Sequence, residues 1–119
     1  MTFYDKSGEP IAYAEDDRSI YLFSGKPVAY LYDDSVWSYD GGHLGWFADG
    51  LVRDSSGNTV YFTEHANGGP LRPLKALRPM KGLKELKPMK SLRELKPLRP
   101  LFTPEWSVLS GEEFFLAKE

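Results

Sequence analysis

Apolar residues recur at every third position of residues 71–101, where each triplet begins with Leu or Met. The second position of each triplet is always Lys or Arg, and the third is Pro, Ala, Gly, Ser or Glu. Proline also recurs at a period of nine, at Pro70, Pro79, Pro88 and Pro97. The pattern predicts an elongated segment, here called the triplet segment, with a Leu/Met edge, a Lys/Arg edge and a mixed edge.

An α-helix cannot keep a strict three-residue period on one face, because it has 3.6 residues per turn. Each Pro also moves the residue before it out of the α region. Polyproline II has three residues per turn and accepts Pro at any position. We therefore predict an extended, polyproline-II-like segment. Short helical turns that start at the nine-residue prolines are the alternative.

The triplet segment is too long to lie straight across one small domain, and it is too costly to order without a partner surface. Thirty-one residues of polyproline II span roughly 95 Å, whereas a domain of some seventy residues is about 30 Å across. The segment must fold back at places such as Gly82, project as an arm, or bundle with other chains. Burial of eleven Leu/Met side chains stabilises by roughly 15–30 kcal/mol, whereas ordering the segment costs on the order of 45 kcal/mol.

We therefore expect the Leu/Met edge to pack on the rest of the chain or on copies of itself. The central residues of this predicted interaction edge are Leu74, Leu77, Met80, Leu83, Leu86, Met89, Leu92 and Leu95.

Residues 3–63 contain four copies of one short pattern. Each copy has a glycine, then an aliphatic residue three positions later and an aromatic residue five positions later. The glycines are Gly8, Gly25, Gly41 and Gly57. Ser-Gly and Asp-Gly favour tight turns, and the spacing of two places the aliphatic and the aromatic residue on one face of a strand. The pattern predicts four β-hairpins.

A second set of turns joins one copy to the next. These turns are predicted at Asp16-Asp17, Asp33-Asp34 and Asp49-Gly50, and less regularly at Asn67-Gly68. Together the turns give about eight strands of four to six residues in up-and-down order. A hairpin cannot bury its apolar face alone, so we predict an all-β fold with four hairpins about a pseudo-four-fold axis. The predicted parts are residues 1–69, 70–101 and 102–119.

The four hairpins, the Leu-Lys-Pro-like triplets and the closing Trp106-Ser-Val-Leu-Ser resemble the bacterial four-fold β-flower family. The resemblance covers nearly the whole chain. It implies an all-β domain with four hairpins about a pseudo-four-fold axis, and it implies no activity. The repeats are also similar to the aromatic-glycine hairpins of cell-wall-binding proteins, most clearly at residues 37–46.

The C-terminal segment favours a short helix. Ser110 and Glu113 form a capping box ahead of Phe114. Ser110-Gly111 also resembles a hairpin turn, which makes a fifth hairpin the alternative. In both cases we expect Trp106, Phe114 and Phe115 to be buried.

Charge is divided sharply along the chain. The net charge is −7 over residues 1–69, +8 over residues 70–101 and −3 over the remainder, which leaves −2 overall. The near-cancellation predicts that the basic segment lies against its own acidic domain or against a neighbour's. There is no Cys, which leaves the redox compartment open. The N-terminus has neither a basic nor an apolar leader region, and no apolar run is long enough to span a membrane, so we expect a cytoplasmic protein without a membrane span.

The sequence offers little catalytic chemistry. It has no nucleophile–base pair, phosphate loop or metal-ligand spacing, so we predict no enzyme activity, no cofactor and no small-molecule substrate. His43 and His65 are the only histidines, and the Asp pairs suit turns. The remaining site is a predicted anion-binding edge, comprising Lys75, Arg78, Lys81, Lys84, Lys87, Lys90, Arg93 and Lys96.

Three functions remain open from sequence. The first is a structural or interaction module that forms a homo-oligomer, or docks within the chain, through the Leu/Met edge. The second is binding of nucleic acid or another anionic polymer or surface through the Lys/Arg edge. The third is glycan or peptide binding by the aromatic residues that close each copy, which are Tyr13, Tyr30, Trp46 and Phe62.

Overall fold

A computed structural model of the protein describes residues 1–116. Eight strands form one closed barrel in up-and-down order, in which each strand pairs antiparallel with the next. The strands are β1 (Thr2–Tyr4), β2 (Pro10–Tyr13), β3 (Ser19–Leu22), β4 (Pro27–Tyr32), β5 (Ser35–Trp37), β6 (His43–Ala48), β7 (Leu51–Arg53) and β8 (Thr59–Phe62). They have three to six residues, so some are shorter than predicted. The pairing of Tyr4 with Phe62 closes the barrel.

The four sequence repeats correspond to four antiparallel hairpins with one shared register. Each hairpin has its register shift at the same position of its first strand. These shifts lie at Phe3/Tyr4, Ile20/Tyr21, Val36/Trp37 and Val52/Arg53. A bulge at this position bends the strand and increases its twist. The repeated bend helps eight very short strands to close into a barrel.

The turns between hairpins depend on aspartate. Asp17, Asp33 and Asp49 have positive φ angles of 59°, 57° and 55°, a conformation that Asp tolerates better than most residues. The neighbouring Asp16 accepts hydrogen bonds from the Arg18 and Ser19 N–H groups. The Asp pairs are therefore turn residues.

The barrel interior combines large residues with small ones. Phe3, Ile20 and Val36 each pair across their hairpin with Ala12, Ala29 and Gly45, respectively. The space beside Gly45 is filled by the Phe114 ring, which lies 2.8 Å from the position of a Cβ atom at that glycine.

The C-terminal segment ends in the short helix α1 (Glu113–Leu116). Its start has the predicted capping interaction, in which the Ser110 N–H donates to Glu113 Oε1 at 2.8 Å. Phe114 is buried as expected, with 1% of its surface exposed. Trp106 and Phe115 pack against core clusters but are only half-buried, so they are less buried than predicted. The end of the predicted third part, residues 117–119, lies outside the described residues.

The triplet segment contains no helix or strand in residues 71–101, all of which the structure describes. The predicted alternative of helical turns is therefore wrong. The segment neither folds back nor projects: it follows the outside of the barrel and passes the turns of hairpins one to four in order. Thirty-one extended residues span roughly 95 Å, which is most of the circumference of a molecule whose two longer extents are 37 and 36 Å.

Candidate interaction surface: the triplet segment

The nine-residue period of the triplet segment matches the hairpins one for one. At intervals of nine residues, a backbone N–H of the segment or of the residues that follow it donates to the carbonyl of a hairpin-turn glycine. The pairs are Ala76 to Gly8, Glu85 to Gly25, Glu94 to Gly41, and Thr103 to Gly57, at 2.8–3.1 Å. Nine residues of extended chain thus cover the same distance around the barrel as one hairpin of 16 or 17 residues.

The turn glycines let the segment approach closely. Carbonyl oxygens of the segment lie 1.9–2.1 Å from where a Cβ atom would stand on each of these glycines. The carbonyls belong to Leu74, Leu83, Leu92 and Leu101, over Gly8, Gly25, Gly41 and Gly57, respectively. Real Cβ atoms do not approach oxygen so closely, so any side chain at these positions would displace the segment.

Backbone N–H groups at the third position of several triplets donate to these turns. Gly82 and Ser91 donate their N–H groups to the carbonyls of Phe23 and Tyr39, both at 2.7–2.8 Å. Gly82 is therefore a contact point and not a site of chain reversal. Its small size is needed, because a Cβ atom there would lie 2.3 Å from the Ser24 carbonyl oxygen.

The Lys/Arg edge faces the barrel. Neighbouring hairpins meet at cross-strand pairs of mostly aromatic residues. These pairs are Tyr13–Tyr21, Tyr30–Trp37, Trp46–Arg53 and Tyr4–Phe62. Cations of the segment lie over these rings; for example, Lys81 Nζ is 4.5 Å from the Tyr13 centroid, and Lys90 Nζ is 4.4 Å from the Tyr30 centroid. Such cation–π contacts stabilise by about 0.5–1 kcal/mol each at exposed sites.

Carboxylates at the turns between hairpins complete this contact. Lys81 and Lys84 both donate to Glu15. Lys96 lies 3.4 Å from Asp33 and 2.9 Å from Asp34. Seven of the eight residues predicted for the anion-binding edge thus contact barrel side chains. The basic segment lies against its own acidic domain, as the charge division indicated.

The pKa of the Glu15 carboxyl depends on this contact between the segment and the barrel. Hydrogen bonds from Lys81 and Lys84 lower the pKa of Glu15 from 4.5 to about 2. A lowered carboxyl pKa stabilises the docked state above the unfolded pKa, and this stabilisation is lost as pH falls towards the folded value. We expect a carbon-13 titration of the Glu15 carboxyl to have its midpoint near pH 2. In the double variant Lys81→Met, Lys84→Met the midpoint should return towards 4.5, and an unchanged midpoint would contradict the pairing.

The Leu/Met edge faces away from the barrel. All eleven of its side chains are 90–97% exposed, including Leu83, Leu86 and Met89. The expectation that this edge packs on the hairpin domain is therefore wrong. The physical reason lies in the barrel surface under the segment, whose aromatic rings and carboxylates bind cations better than aliphatic side chains.

The repeat aromatics form no open groove. Tyr13, Tyr30, Trp46 and Phe62 are 1–3% exposed. Three of them belong to small clusters outside the main core, such as Tyr13 with Tyr21 and Phe23. Their burial removes the basis for glycan binding at these rings. Tyr13, Tyr30 and Trp46 instead lie beneath cations of the Lys/Arg edge.

The histidines have structural surroundings. His43 Nε2 lies 2.8 Å from Ser35 Oγ, and its ring packs between those of Trp37 and Trp46. Within residues 1–116, no three His, Cys, Asp or Glu side chains are grouped so that they could hold a metal ion. The same residues include no helix with the length and apolar character needed to cross a bilayer.

A closed barrel of four similar hairpins, encircled by its own basic segment, defines a small all-β repeat protein with an ordered polypeptide belt. The chain belongs to the 4-fold beta flower protein family, whose pattern it matches over residues 1–115. That family is not known as a family of enzymes. Comparison with curated proteins and with solved structures gave no significant match.

Proposed function

We propose that the protein is a non-enzymatic structural module that self-associates through the Leu/Met edge. The supporting observation is the 90–97% exposure of all eleven Leu and Met side chains. Burial of these side chains would contribute roughly 15–30 kcal/mol, which at ~25 cal/mol per Å² corresponds to roughly 600–1,200 Å² of apolar surface. Monomeric proteins rarely expose contiguous apolar patches beyond a few hundred Å², and each partner in a typical specific interface buries about 800 Å².

A second copy of the chain is the occupant that fits this edge. The edge has one chemical character along its whole length, so it is complementary to an identical edge, as a two-fold interface requires. Its neutral side chains are the outermost ones, whereas cations such as Lys81, Lys84 and Lys96 are directed at carboxylates of the barrel. Two copies can therefore bring an arc of each apolar edge together without bringing two rows of positive charge into contact.

The proposal includes a pseudo-four-fold arrangement. We place the four hairpins about one axis and the triplet segment in a polyproline-II-like ring around it. The shared register shifts and the nine-residue hydrogen-bond period support this arrangement. Polyproline II leaves its backbone N–H groups free of internal bonds, which suits a segment whose N–H groups at Gly82, Glu85 and Ser91 donate to the barrel.

Binding of a long anionic polymer is the weaker proposal. The Lys/Arg edge would have to leave its own aromatic and acidic contacts before it could neutralise a row of phosphates. Self-association needs no such rearrangement, because the Leu/Met edge is already exposed.

The oligomeric mass tests self-association. We expect the wild-type protein to sediment as a dimer or larger species. Its mass should be unchanged between about 50 and 500 mM salt, because apolar contacts are not screened. The triple variant Leu83→Asn, Leu86→Asn, Leu92→Asn should sediment as a monomer with an unchanged circular dichroism spectrum.

Val108→Asn is the matched control, because Val108 is 88% exposed but lies outside the Leu/Met edge. It should leave the mass unchanged. A wild-type protein that remains monomeric at about 100 μM, well above the dissociation constant of an ordinary specific dimer, would overturn the proposal. A monomer that instead co-sediments with phosphatidylcholine vesicles would assign the edge to lipid.

A further inference from the structure

A cavity of about 660 Å³ lies between the triplet segment and the turn that joins β4 to β5. Its size is in the range of small-molecule sites. The residues that matter here are Tyr32, Trp37, Lys90, Leu92, Arg93 and Leu95. They combine two cations with aromatic and aliphatic surface.

The equivalent position one repeat earlier is filled by the protein itself. Glu15 stands two residues after Tyr13, as Tyr32 stands two residues after Tyr30. The Glu15 carboxylate accepts hydrogen bonds from both Lys81 and Lys84. The groove beside it has a volume of about 340 Å³, roughly half that of the cavity at Tyr32.

The cavity at Tyr32 has the same cations without that carboxylate. Lys90 and Arg93 lie nine residues after Lys81 and Lys84 and therefore occupy equivalent places in the segment. Lys90 Nζ lies over the Tyr30 ring at 4.4 Å, and Arg93 Cζ lies over the Tyr32 ring at 3.9 Å. Within the part of the chain that the structure describes, neither cation forms an ion pair.

The two carboxylates that line this cavity have other contacts. Asp33 lies 3.4 Å from Lys96 Nζ. Glu94 accepts a hydrogen bond from the His43 N–H at 2.7 Å. Both carboxylates are therefore engaged with groups other than Lys90 and Arg93.

The rest of the lining suits a flat apolar group. The Tyr32 ring is 54% exposed, although most aromatic rings of the barrel are buried. Leu92 and Leu95 border the cavity on its outer side, with side chains that are 95–96% exposed. The Trp37 indole N–H is buried and, among the described residues, has no hydrogen-bond acceptor. Trp37 is also one of the residues that line the cavity, so its indole N–H resonance is expected to respond to a bound ligand.

We propose that this cavity binds a small planar aromatic carboxylate. The carboxylate takes the place beside Lys90 and Arg93 that the Glu15 side chain takes beside Lys81 and Lys84. The aromatic ring lies against Tyr32. The cations and the aromatic ring that hold the ligand do not belong to the Leu/Met edge, so this site does not require self-association, and a failure of either proposal leaves the other standing.

Nitrogen-15 NMR of the full chain tests the site through the indole N–H resonances of its three tryptophans. The probe is indole-3-acetate. We expect it to shift the Trp37 resonance saturably, with a dissociation constant at or below about 1 mM, and to move the Trp46 and Trp106 resonances much less. Tryptamine has the same ring with a positive charge, and acetate has the charge without the ring, so both should leave Trp37 unmoved at the same concentration.

Tyr32→Glu is the decisive variant, because it supplies a carboxylate from the protein at the position equivalent to Glu15. It should weaken indole-3-acetate binding at least about tenfold while the triplet segment stays docked. Arg93→Gln should weaken binding by a similar factor. Lys84→Gln, in the equivalent groove one repeat earlier, should leave the dissociation constant unchanged.

Three results would overturn the proposed site. One is an unmoved Trp37 resonance at about 10 mM indole-3-acetate, a concentration that detects even weak binding. Another is an equal shift with tryptamine. The third is undiminished affinity in Tyr32→Glu, whose Trp46 and Trp106 resonances serve to verify that the variant is folded.

Discussion

Replacing Gly25 with Ala is expected to lower the free energy of unfolding by about 3–4 kcal/mol and to release the triplet segment locally. Gly25 has a φ of 102°, where a Cβ atom adds about 1–2 kcal/mol of strain. That atom would also stand 1.9 Å from the Leu83 carbonyl oxygen. The resulting displacement breaks the hydrogen bonds that Gly82 and Glu85 donate to the barrel, at roughly 1 kcal/mol each. Urea denaturation and hydrogen exchange of the Glu85 N–H measure the two effects.

Gly68→Ala is the control for Gly25→Ala. Gly68 also has a positive φ, 78°, but nothing lies within 4 Å of its Cβ position. This variant should lose only the strain of about 1–2 kcal/mol, with unchanged exchange at Glu85. If both variants lost equal stability and protection, the close approach of the segment to the turn would be refuted.

Phe114→Ala is expected to lower the free energy of unfolding by about 3–5 kcal/mol, the usual range for a buried Phe. The Phe114 ring fills the space beside Gly45 and meets Tyr61 edge to face at a centroid distance of 5.7 Å. Its loss leaves a cavity in the barrel core. Urea denaturation, monitored by far-ultraviolet circular dichroism, measures the change.

Leu116→Ala is the control for Phe114→Ala because it changes the same helix at a side chain that is 57% exposed. Its expected effect is within about 0.5 kcal/mol. A comparable loss in both variants would mean that the helix contributes through its backbone contacts and not through the Phe114 ring.

The hairpins were predictable from local chemistry. The Gly spacing marks the tips, and the Asp pairs mark the turns between hairpins, so sequence alone places eight strands in order. The closing C-terminal helix was also predictable from Ser110 and Glu113. The half-burial of Trp106 was not, because its contacts depend on the distant strand β8, where Thr59 forms a bridge with it.

The orientation of the triplet segment was not predictable from its own pattern. Its Leu/Met and Lys/Arg edges have the same period, and the usual preference for burying aliphatic side chains selects the wrong one. The deciding feature lies in the hairpins, where Tyr13–Tyr21 and Tyr30–Trp37 form aromatic surfaces beside Glu15 and Asp34. Recognising it from sequence would require matching the four nine-residue groups to the four hairpins.

The sequence contains only a weak indication of the cavity at Tyr32. Aligning the copies on Tyr13 and Tyr30 places Tyr32 at the position of Glu15, and a change from acidic to aromatic interrupts the repeat. The meaning of that change depends on which cations stand opposite. Those cations come from a segment more than fifty residues away, so only the three-dimensional structure brings the two observations together.

The correspondence of nine segment residues to one hairpin couples two distant parts of the chain. A chain with a fifth hairpin would need nine more residues in the triplet segment, because otherwise one turn glycine would have no carbonyl over it. Deletion of one group of nine would in the same way leave the belt too short to reach Gly57. The number of hairpins and the length of the belt can therefore change only together, which makes the pair, and not the single hairpin, the modular unit of this fold.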